Sequence, residues 1–102
     1  MSVISVNAEN FKDEVLKSER PVMLDFYATW CGPCQMVSPI VDEIASEYPR
    51  YKVCKVDVDN EPQLAQQFGI VSIPTILVIN NGNVTAKQVG YATKEKLLQM
   101  FE

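Results

Sequence analysis

The sequence predicts an α/β protein in which a central mixed five-stranded sheet is flanked by four helices. Apolar segments typical of strands alternate along the chain with segments of helical period, in the order βαβαβαββα. The early strands are separated by helices and are expected to run parallel, whereas the last two flank a tight turn and are expected to run antiparallel. With 102 residues, 47% of them hydrophobic, we expect a single domain covering residues 1–102.

The first half of the chain contains the longest predicted strand and the longest predicted helix. A short strand is expected at 1–6, followed by a helix for which Asn7 is a good N-cap. Val22–Ala28 is almost continuously apolar, which is typical of a strand covered on both faces. From Pro33 onward the apolar residues recur with helical spacing, and Pro39 is expected to kink this helix because it lacks an N–H.

The second half contains shorter elements. A strand is expected at 51–58, and the following short helix has Asn60 as its predicted cap. Strands at 75–79 and 84–89 flank an Asn-Asn-Gly-Asn turn, which predicts a β-hairpin. Thr93 is expected to cap the last helix.

The composition limits the classes of partner and the compartment. The net charge is −4 and no cluster of lysine or arginine is present, so nucleic acid and anionic membrane surfaces are unfavourable partners. No apolar run approaches the roughly 20 residues that span a bilayer, and no signal peptide is expected. Three cysteines do not suit a disulfide-stapled secreted domain. We therefore expect a cytoplasmic monomer, although a processed organellar form would have the same features.

The motif with the clearest chemical content is Trp30-Cys31-Gly32-Pro33-Cys34, which joins the apolar strand to the long helix. If Cys31 is the N-cap, its sulfur can accept the backbone N–H of Cys34, and the helix dipole adds positive potential there. Both effects favour the thiolate, so Cys31 is the predicted nucleophile. Cys34 follows about one helical turn later, at a Cα separation of roughly 5 Å that a disulfide tolerates.

Three other interpretations of the pair compete with a redox function. A purely structural disulfide closing so short a loop would stabilise the fold by only about 2 kcal/mol. A zinc site needs four ligands, whereas the chain has three cysteines and no histidine, so no metal site is expected. Inert core cysteines would not need Gly32 and Pro33 between them at the start of a helix. The redox interpretation is favoured.

Trp-Cys-Gly-Pro-Cys at a strand–helix junction resembles the active site of the thioredoxin family, and the resemblance extends from the first strand to Phe101. It implies the thioredoxin fold and a thiol–disulfide oxidoreductase that reduces disulfides in other proteins. In this reaction Cys31 attacks and Cys34 resolves the mixed disulfide. The resemblance also implies recycling by a flavin- and NADPH-dependent thioredoxin reductase, whereas the chain itself shows no cofactor motif.

Asp25 is a carboxylate inside an otherwise apolar strand, so burial is expected to raise its pKa. Lys55, in the strand at 51–58, is its predicted partner. The resemblance implies that both lie beneath the cysteine pair. There Asp25 would take the proton from Cys34, directly or through water.

The resemblance also implies a substrate-binding surface around Cys31. Pro74 stands where thioredoxins have a cis proline, and the backbone of Ile73 before it would pair with a substrate strand. An apolar patch is expected around the nucleophile. Its predicted members are Trp30, Gly32, Pro33, Val71, Ile73 and Gly90.

Two positions depart from the family pattern, and one cysteine stands apart. Tyr27 occupies a position where many thioredoxins have a second tryptophan, and Gln35 one where many have lysine. Both changes bear on partner preference, and the missing lysine also removes a positive charge near Cys31. Cys54 is expected to be a buried, unreactive thiol on the strand face opposite Lys55.

Two further functions stand beside the reductase. Oxidases and isomerases of this fold typically carry a histidine between the cysteines, and the chain has none, which disfavours them. A binding subunit that grips its partner through the apolar patch, with or without reactive cysteines, is an alternative that the sequence leaves open. Reduction of a protein disulfide discriminates between the two.

Overall fold

The computed structural model describes residues 3–102, which contain five strands and four helices. The strands are β1 Ile4–Ser5, β2 Val22–Tyr27, β3 Lys52–Asp57, β4 Thr75–Asn80 and β5 Asn83–Val89. The helices are a π-helix at Lys12–Leu16 and the α-helices α1 Gly32–Glu47, α2 Pro62–Gln67 and α3 Lys94–Gln99. Within these residues, no helix is long and apolar enough to cross a membrane.

The strands form one mixed sheet in the order β1-β3-β2-β4-β5. β1, β3 and β2 are parallel, while β4 pairs antiparallel with both β2 and β5. The hairpin turn places Asn81 and Gly82 at φ 51° and 82°, in the left-handed region that this type of turn requires. The predicted fold class and strand directions are confirmed.

The sheet is covered on both faces. One face packs Leu24, Phe26 and Cys54 beneath the π-helix and α2. The opposite face packs Met23 and Ile76, together with other apolar residues, against α1 and α3. Because every residue from 22 to 26 is buried, β2 is the central strand of the core, as its apolar sequence predicts.

The N-terminal elements differ from the expectation. β1 covers only Ile4–Ser5, and the first two residues of the predicted strand lie outside the described residues. Asn7 does accept backbone N–H groups with its side chain, from Glu9 and Asn10, but in a turn that precedes the helix. The helix itself begins at Lys12 and is a π-helix, so Asn7 is not its N-cap.

Three other local predictions have mixed outcomes. Asn60 does not cap α2, whose N-cap is Glu61; the Asn60 side-chain amide donates to Asp57. Pro39 lies within α1, and the helix continues through it to Glu47. Thr93 caps α3 as predicted, accepting the N–H of Lys96 at 3.2 Å.

The topology brings four chain segments to one edge of the sheet. β2 ends at Tyr27, and the parallel strand β3 ends beside it at Asp57. Since β4 is antiparallel to β2, its first residue Thr75 lies at the same edge, opposite Val89 at the end of β5. The loops after β2, β3 and β5 and before β4 therefore meet there.

Leu97 packs α3 against the core, so truncating its side chain is expected to lower the stability of the fold. Leu97 is fully buried in the core facing α1, whereas its neighbour Leu98 is only partly buried. We expect Leu97→Ala to lower the free energy of unfolding by about 2–5 kcal/mol, because the core cannot fill the lost volume. Urea unfolding measures the change. The matched control, Leu98→Ala, should lose clearly less, and equal losses would contradict this packing.

Candidate active site

Cys31 caps the N-terminus of α1 through its sulfur. Its backbone is extended, at φ −88° and ψ 115°, and its Sγ accepts the backbone N–H of Cys34 at 3.2 Å. Pro33 stands in the first turn, where a missing N–H leaves no helical bond unmade. The predicted cap is confirmed, so the sulfur lies where free N–H groups and the helix dipole stabilise negative charge.

Cys31 and Cys34 form a disulfide across this first turn. Their Cα atoms are 5.2 Å apart, in agreement with the separation expected from helix geometry. Both residues are buried, at 5% and 3% exposure, so burial does not distinguish them. The two positions differ in their surroundings instead. The Cys31 sulfur lies 3.9 Å from the carbonyl oxygen of Ile73, whereas Cys34 lines a cavity that contains Asp25.

That cavity has a volume of about 200 Å³ and leads from Cys34 to the buried carboxylate of Asp25. Asp25 is 2% exposed, and its Oδ1 has no hydrogen-bond partner among the described residues. Burial raises the pKa of Asp25 to about 7, with Lys55 opposing the shift and Asp42 adding to it. A group with that pKa can take up and release a proton near neutral pH.

Lys55 faces the same cavity, but it is not the direct partner that the sequence predicts. It is the register neighbour of Asp25 on the adjacent strand. Within residues 3–102, however, no ion pair joins the two side chains. The Lys55 ammonium instead lies 5.0 Å from the centre of the Tyr27 ring. It therefore acts on Asp25 through space rather than by contact.

An apolar groove of about 200 Å³ lies on the other side of the motif, where the loops meet. Val71, which lines it, is 95% exposed, so its apolar side chain is open to contact with a partner. Of the predicted patch, Trp30, Val71 and Ile73 line this groove, while Gly32 and Pro33 are exposed in the first turn of α1. Sequence reasoning missed three further lining residues, which are Val58, Ala65 and Ile70.

The rim of the groove next to Cys31 is built from backbone. The Ile73–Pro74 peptide bond is cis, as the resemblance implies. Gly90 donates its N–H to the carbonyl of Pro74 at 2.8 Å and has a φ of 87°, in the left-handed region that favours glycine. Gly90 therefore holds the loop before β4 through its bond to Pro74 and does not line the groove.

Trp30, a predicted member of the apolar patch, has an exposed and oriented side chain. Its side chain is 69% exposed, and its Nε1 donates to Oδ2 of Asp59 at 2.8 Å. Asp59 follows the end of β3. Its contact with Trp30 could have been predicted only from the convergence of the loops at this edge of the sheet. The bond fixes the orientation of a large apolar surface directly beside Cys31.

The comparisons with known proteins agree with this geometry. The thioredoxin family model matches residues 2–102. Thioredoxin 1 of Nostoc sp. is 49% identical over 98 residues, which cover 95% of this chain and 92% of the relative. Thioredoxin of Haemophilus influenzae is 45% identical over 96 residues, covering 93% and 90%. Thioredoxin 1 of Synechococcus elongatus is 48% identical over 104 residues, covering 100% and 97%.

The chain belongs to the thioredoxin family. It has the thioredoxin fold, and its bonded cysteine pair at the start of α1 is that of a thiol–disulfide oxidoreductase acting as a reductase. As a family member, it has protein disulfides as its substrates. Within residues 3–102, no group of three or more metal-binding side chains is present.

The two departures from the common thioredoxin pattern both contribute to the site. The Gln35 side chain donates to the carbonyl of Thr29 at 2.9 Å, which ties the first turn of α1 to the loop before Cys31. Tyr27 lines the Asp25 cavity and carries the Lys55 ammonium over its ring. Cys54 lies on the opposite sheet face and is fully buried, as predicted, and burial raises the pKa of its thiol to about 11.

Because Asp25 is buried, we expect the free energy of unfolding to fall as the pH rises. The folded protein holds the proton up to a pKa of about 7, whereas the unfolded chain releases it near 3.8, so the folded state binds more protons between these values. The stability that the protonated carboxyl contributes is complete below about pH 4 and is lost by about pH 7. About three pKa units correspond to a loss on the order of 4 kcal/mol.

We expect Asp25→Asn to remove this pH dependence and to raise the free energy of unfolding relative to wild type at pH 8. Urea unfolding of the oxidised proteins between pH 4 and 8 measures it. Asp13→Asn, at an exposed carboxylate that pairs with Lys17, is the matched control and should follow the wild-type curve. Parallel curves for wild type and Asp25→Asn would contradict the burial argument.

Proposed function

We propose that this chain reduces protein disulfides in two steps, with Cys31 as the nucleophile and Cys34 as the resolving thiol. The observation that carries the assignment is the bond from the Cys34 N–H to the Cys31 sulfur at the start of α1. In the reduced protein this bond and the helix dipole favour the Cys31 thiolate. The thiolate attacks one substrate sulfur and expels the other as a thiolate, which leaves a mixed disulfide.

In the second step, Cys34 attacks the Cys31 sulfur of the mixed disulfide. The Cys34 thiol first gives its proton to the Asp25 carboxylate across the cavity, directly or through water. The new bond forms the Cys31–Cys34 disulfide, the substrate leaves as a second thiolate, and it takes a proton from solvent. Two electrons have passed to the substrate, and the protein is left oxidised. A carboxylate with a pKa of about 7 suits this proton transfer at neutral pH.

The groove beside Cys31 is proposed to hold the substrate segment that follows its disulfide. Trp30, Val71 and Ile73 offer apolar surface, and the Ile73 carbonyl lies close to the reacting sulfur. Backbone pairing at Ile73, next to the cis Pro74, gives affinity that does not depend on the substrate side chains. This mode suits a reductase that acts on many proteins.

A thioredoxin reductase that uses a flavin and NADPH is the proposed source of the two electrons that restore the dithiol. We place the reaction in the cytoplasm, where a reducing environment keeps the pair in its active form. A single domain of residues 1–102 acting as a monomer is sufficient for this cycle. No cofactor within the chain is required, because every electron moves between sulfur atoms.

Turbidity of insulin in the presence of dithiothreitol tests the overall reaction. We expect the wild-type protein to accelerate precipitation and Cys31→Ser to abolish the acceleration, because the attacking thiolate is lost. Folding of the variant is verified by circular dichroism. A wild-type protein without activity would contradict the proposal and favour the alternative function, a binding subunit that uses the same apolar groove.

The two steps should respond differently to the loss of Asp25. We expect Asp25→Asn to slow resolution of the mixed disulfide about 100-fold at pH 7, because the proton acceptor is missing, and to leave the first attack nearly unchanged. Stopped-flow fluorescence of Trp30, the only tryptophan, follows both steps with a peptide disulfide. Cys34→Ser, which stops after the first step, calibrates the signal of the mixed disulfide. Equal slowing of attack and resolution by Asp25→Asn would contradict the assigned role.

The groove predicts a specific effect at Val71. We expect Val71→Asp to lower kcat/KM for insulin about tenfold, because a charge at the rim must be desolvated when the substrate docks. Reduction of a small aromatic disulfide, which does not fill the groove, should change little. Val84→Asp is the matched control, since Val84 is also exposed but pairs with Ile79 at the opposite end of the sheet. Equal losses for the two variants would contradict the docking surface.

A further inference from the structure

Lys55 takes an unexpected position in the active-site cavity. It lies directly opposite Asp25 on the adjacent parallel strand, and neighbouring strands are only about 4.8 Å apart. A lysine stem is long enough to bring its ammonium to that carboxylate, and a buried carboxylate with a free oxygen is a strong attractor of a cation. The ammonium nevertheless lies over the Tyr27 ring, 5.0 Å from its centre.

The other groups around Asp25 explain why the position of the Lys55 ammonium matters. From α1 it faces Cys34, Gln35 and Ser38, which line the cavity, and the more distant carboxylate of Asp42. On β4 its register neighbour is the apolar Ile76.

The position of Lys55 therefore sets how strongly Asp25 is held in its charged form, because from β3 it supplies the positive charge that acts on this carboxyl.

Tyr27 has the geometry to set that position. It follows Asp25 by two residues on β2, so both side chains point to the same face of the sheet and line the same cavity. The face of its ring attracts a cation. Asp57, the register neighbour of Tyr27 on β3, lines a second cleft together with Tyr27 and Lys55 and adds negative charge there.

We propose that Tyr27 is a positioning residue of the proton-transfer step, whose ring holds the Lys55 ammonium away from Asp25 and so keeps the carboxyl unpaired and facing Cys34. The inference rests on the proposed role of Asp25 as the proton acceptor. It assigns a task to a position at which this chain departs from the tryptophan common in thioredoxins. With the ring removed, Lys55 pairs with Asp25, and the carboxylate becomes a weaker base for the Cys34 proton.

The pKa of Asp25 in the oxidised protein, measured from the pH dependence of its carboxyl ¹³C chemical shift, tests this without any activity. We expect Tyr27→Leu to lower the pKa by about one unit or more, since an opposite charge at contact distance shifts a carboxyl by that amount. Tyr27→Phe keeps the ring face and should titrate like wild type. A wild-type pKa in Tyr27→Leu would overturn the proposal.

A second comparison separates Lys55 from a simple change in hydration. In the Lys55→Met background, Tyr27→Leu should no longer lower the pKa of Asp25, because the cation is absent. If it still lowers the pKa, water entering the cavity is the cause and the proposal is wrong. Thermal unfolding verifies that each variant is folded.

Kinetics link the inference to the reaction. The pH profile of mixed-disulfide resolution should have its inflection shifted to lower pH in Tyr27→Leu, by the same amount as the pKa measured by NMR. An unshifted inflection would overturn the proposal. The proposed role of Asp25 fails separately, if Asp25→Asn does not slow resolution more than attack, so the two failures are distinguishable.

Discussion

The chemistry of this protein depends on one contact, the bond from the Cys34 N–H to the Cys31 sulfur at the beginning of α1. It fixes the sulfur at the only place in the helix where backbone donors are unpaired, and it sets the second sulfur one turn away. The motif alone forms this contact, but the sheet places the cavity and the groove next to it. The cavity of Asp25 is lined by Cys34, and the apolar groove, proposed to bind substrate, is lined by Trp30 and Ile73 beside Cys31.

The buried Asp25 shows that the site is not optimised for stability. A carboxyl at the centre of an apolar strand opposes folding whenever it is ionised, and an apolar residue at this position would pack without that penalty. The same burial brings its pKa into the range in which it can exchange protons with a thiol. In the proposed mechanism, proton transfer and stability therefore make opposite demands on Asp25, while the other residues of the core on that face are apolar.

Much of the fold could be predicted because its signals are local. The apolar run of β2, the Asn-Gly hairpin turn and the Thr93 cap each follow from a few neighbouring residues. The π-helix could not be predicted, since Phe11 and Val15 reach the core only in the context of the sheet. The same holds for Lys55, whose ammonium lies over the Tyr27 ring rather than on Asp25. It also holds for the groove, whose lining residues Val58, Ala65 and Ile70 come from separate segments.

The burial of Cys54 has a consequence for the fidelity of electron transfer. At a pKa of about 11, only about one molecule in ten thousand carries this thiol in its nucleophilic form at pH 7. The sheet itself separates it from the reacting sulfurs, because it packs on the face covered by the π-helix and α2. Of the chain's own thiols, only Cys34 is therefore placed to resolve the proposed mixed disulfide at Cys31. The chain has three cysteines, but Cys54 does not compete with the Cys31–Cys34 pair for the two electrons that the pair transfers.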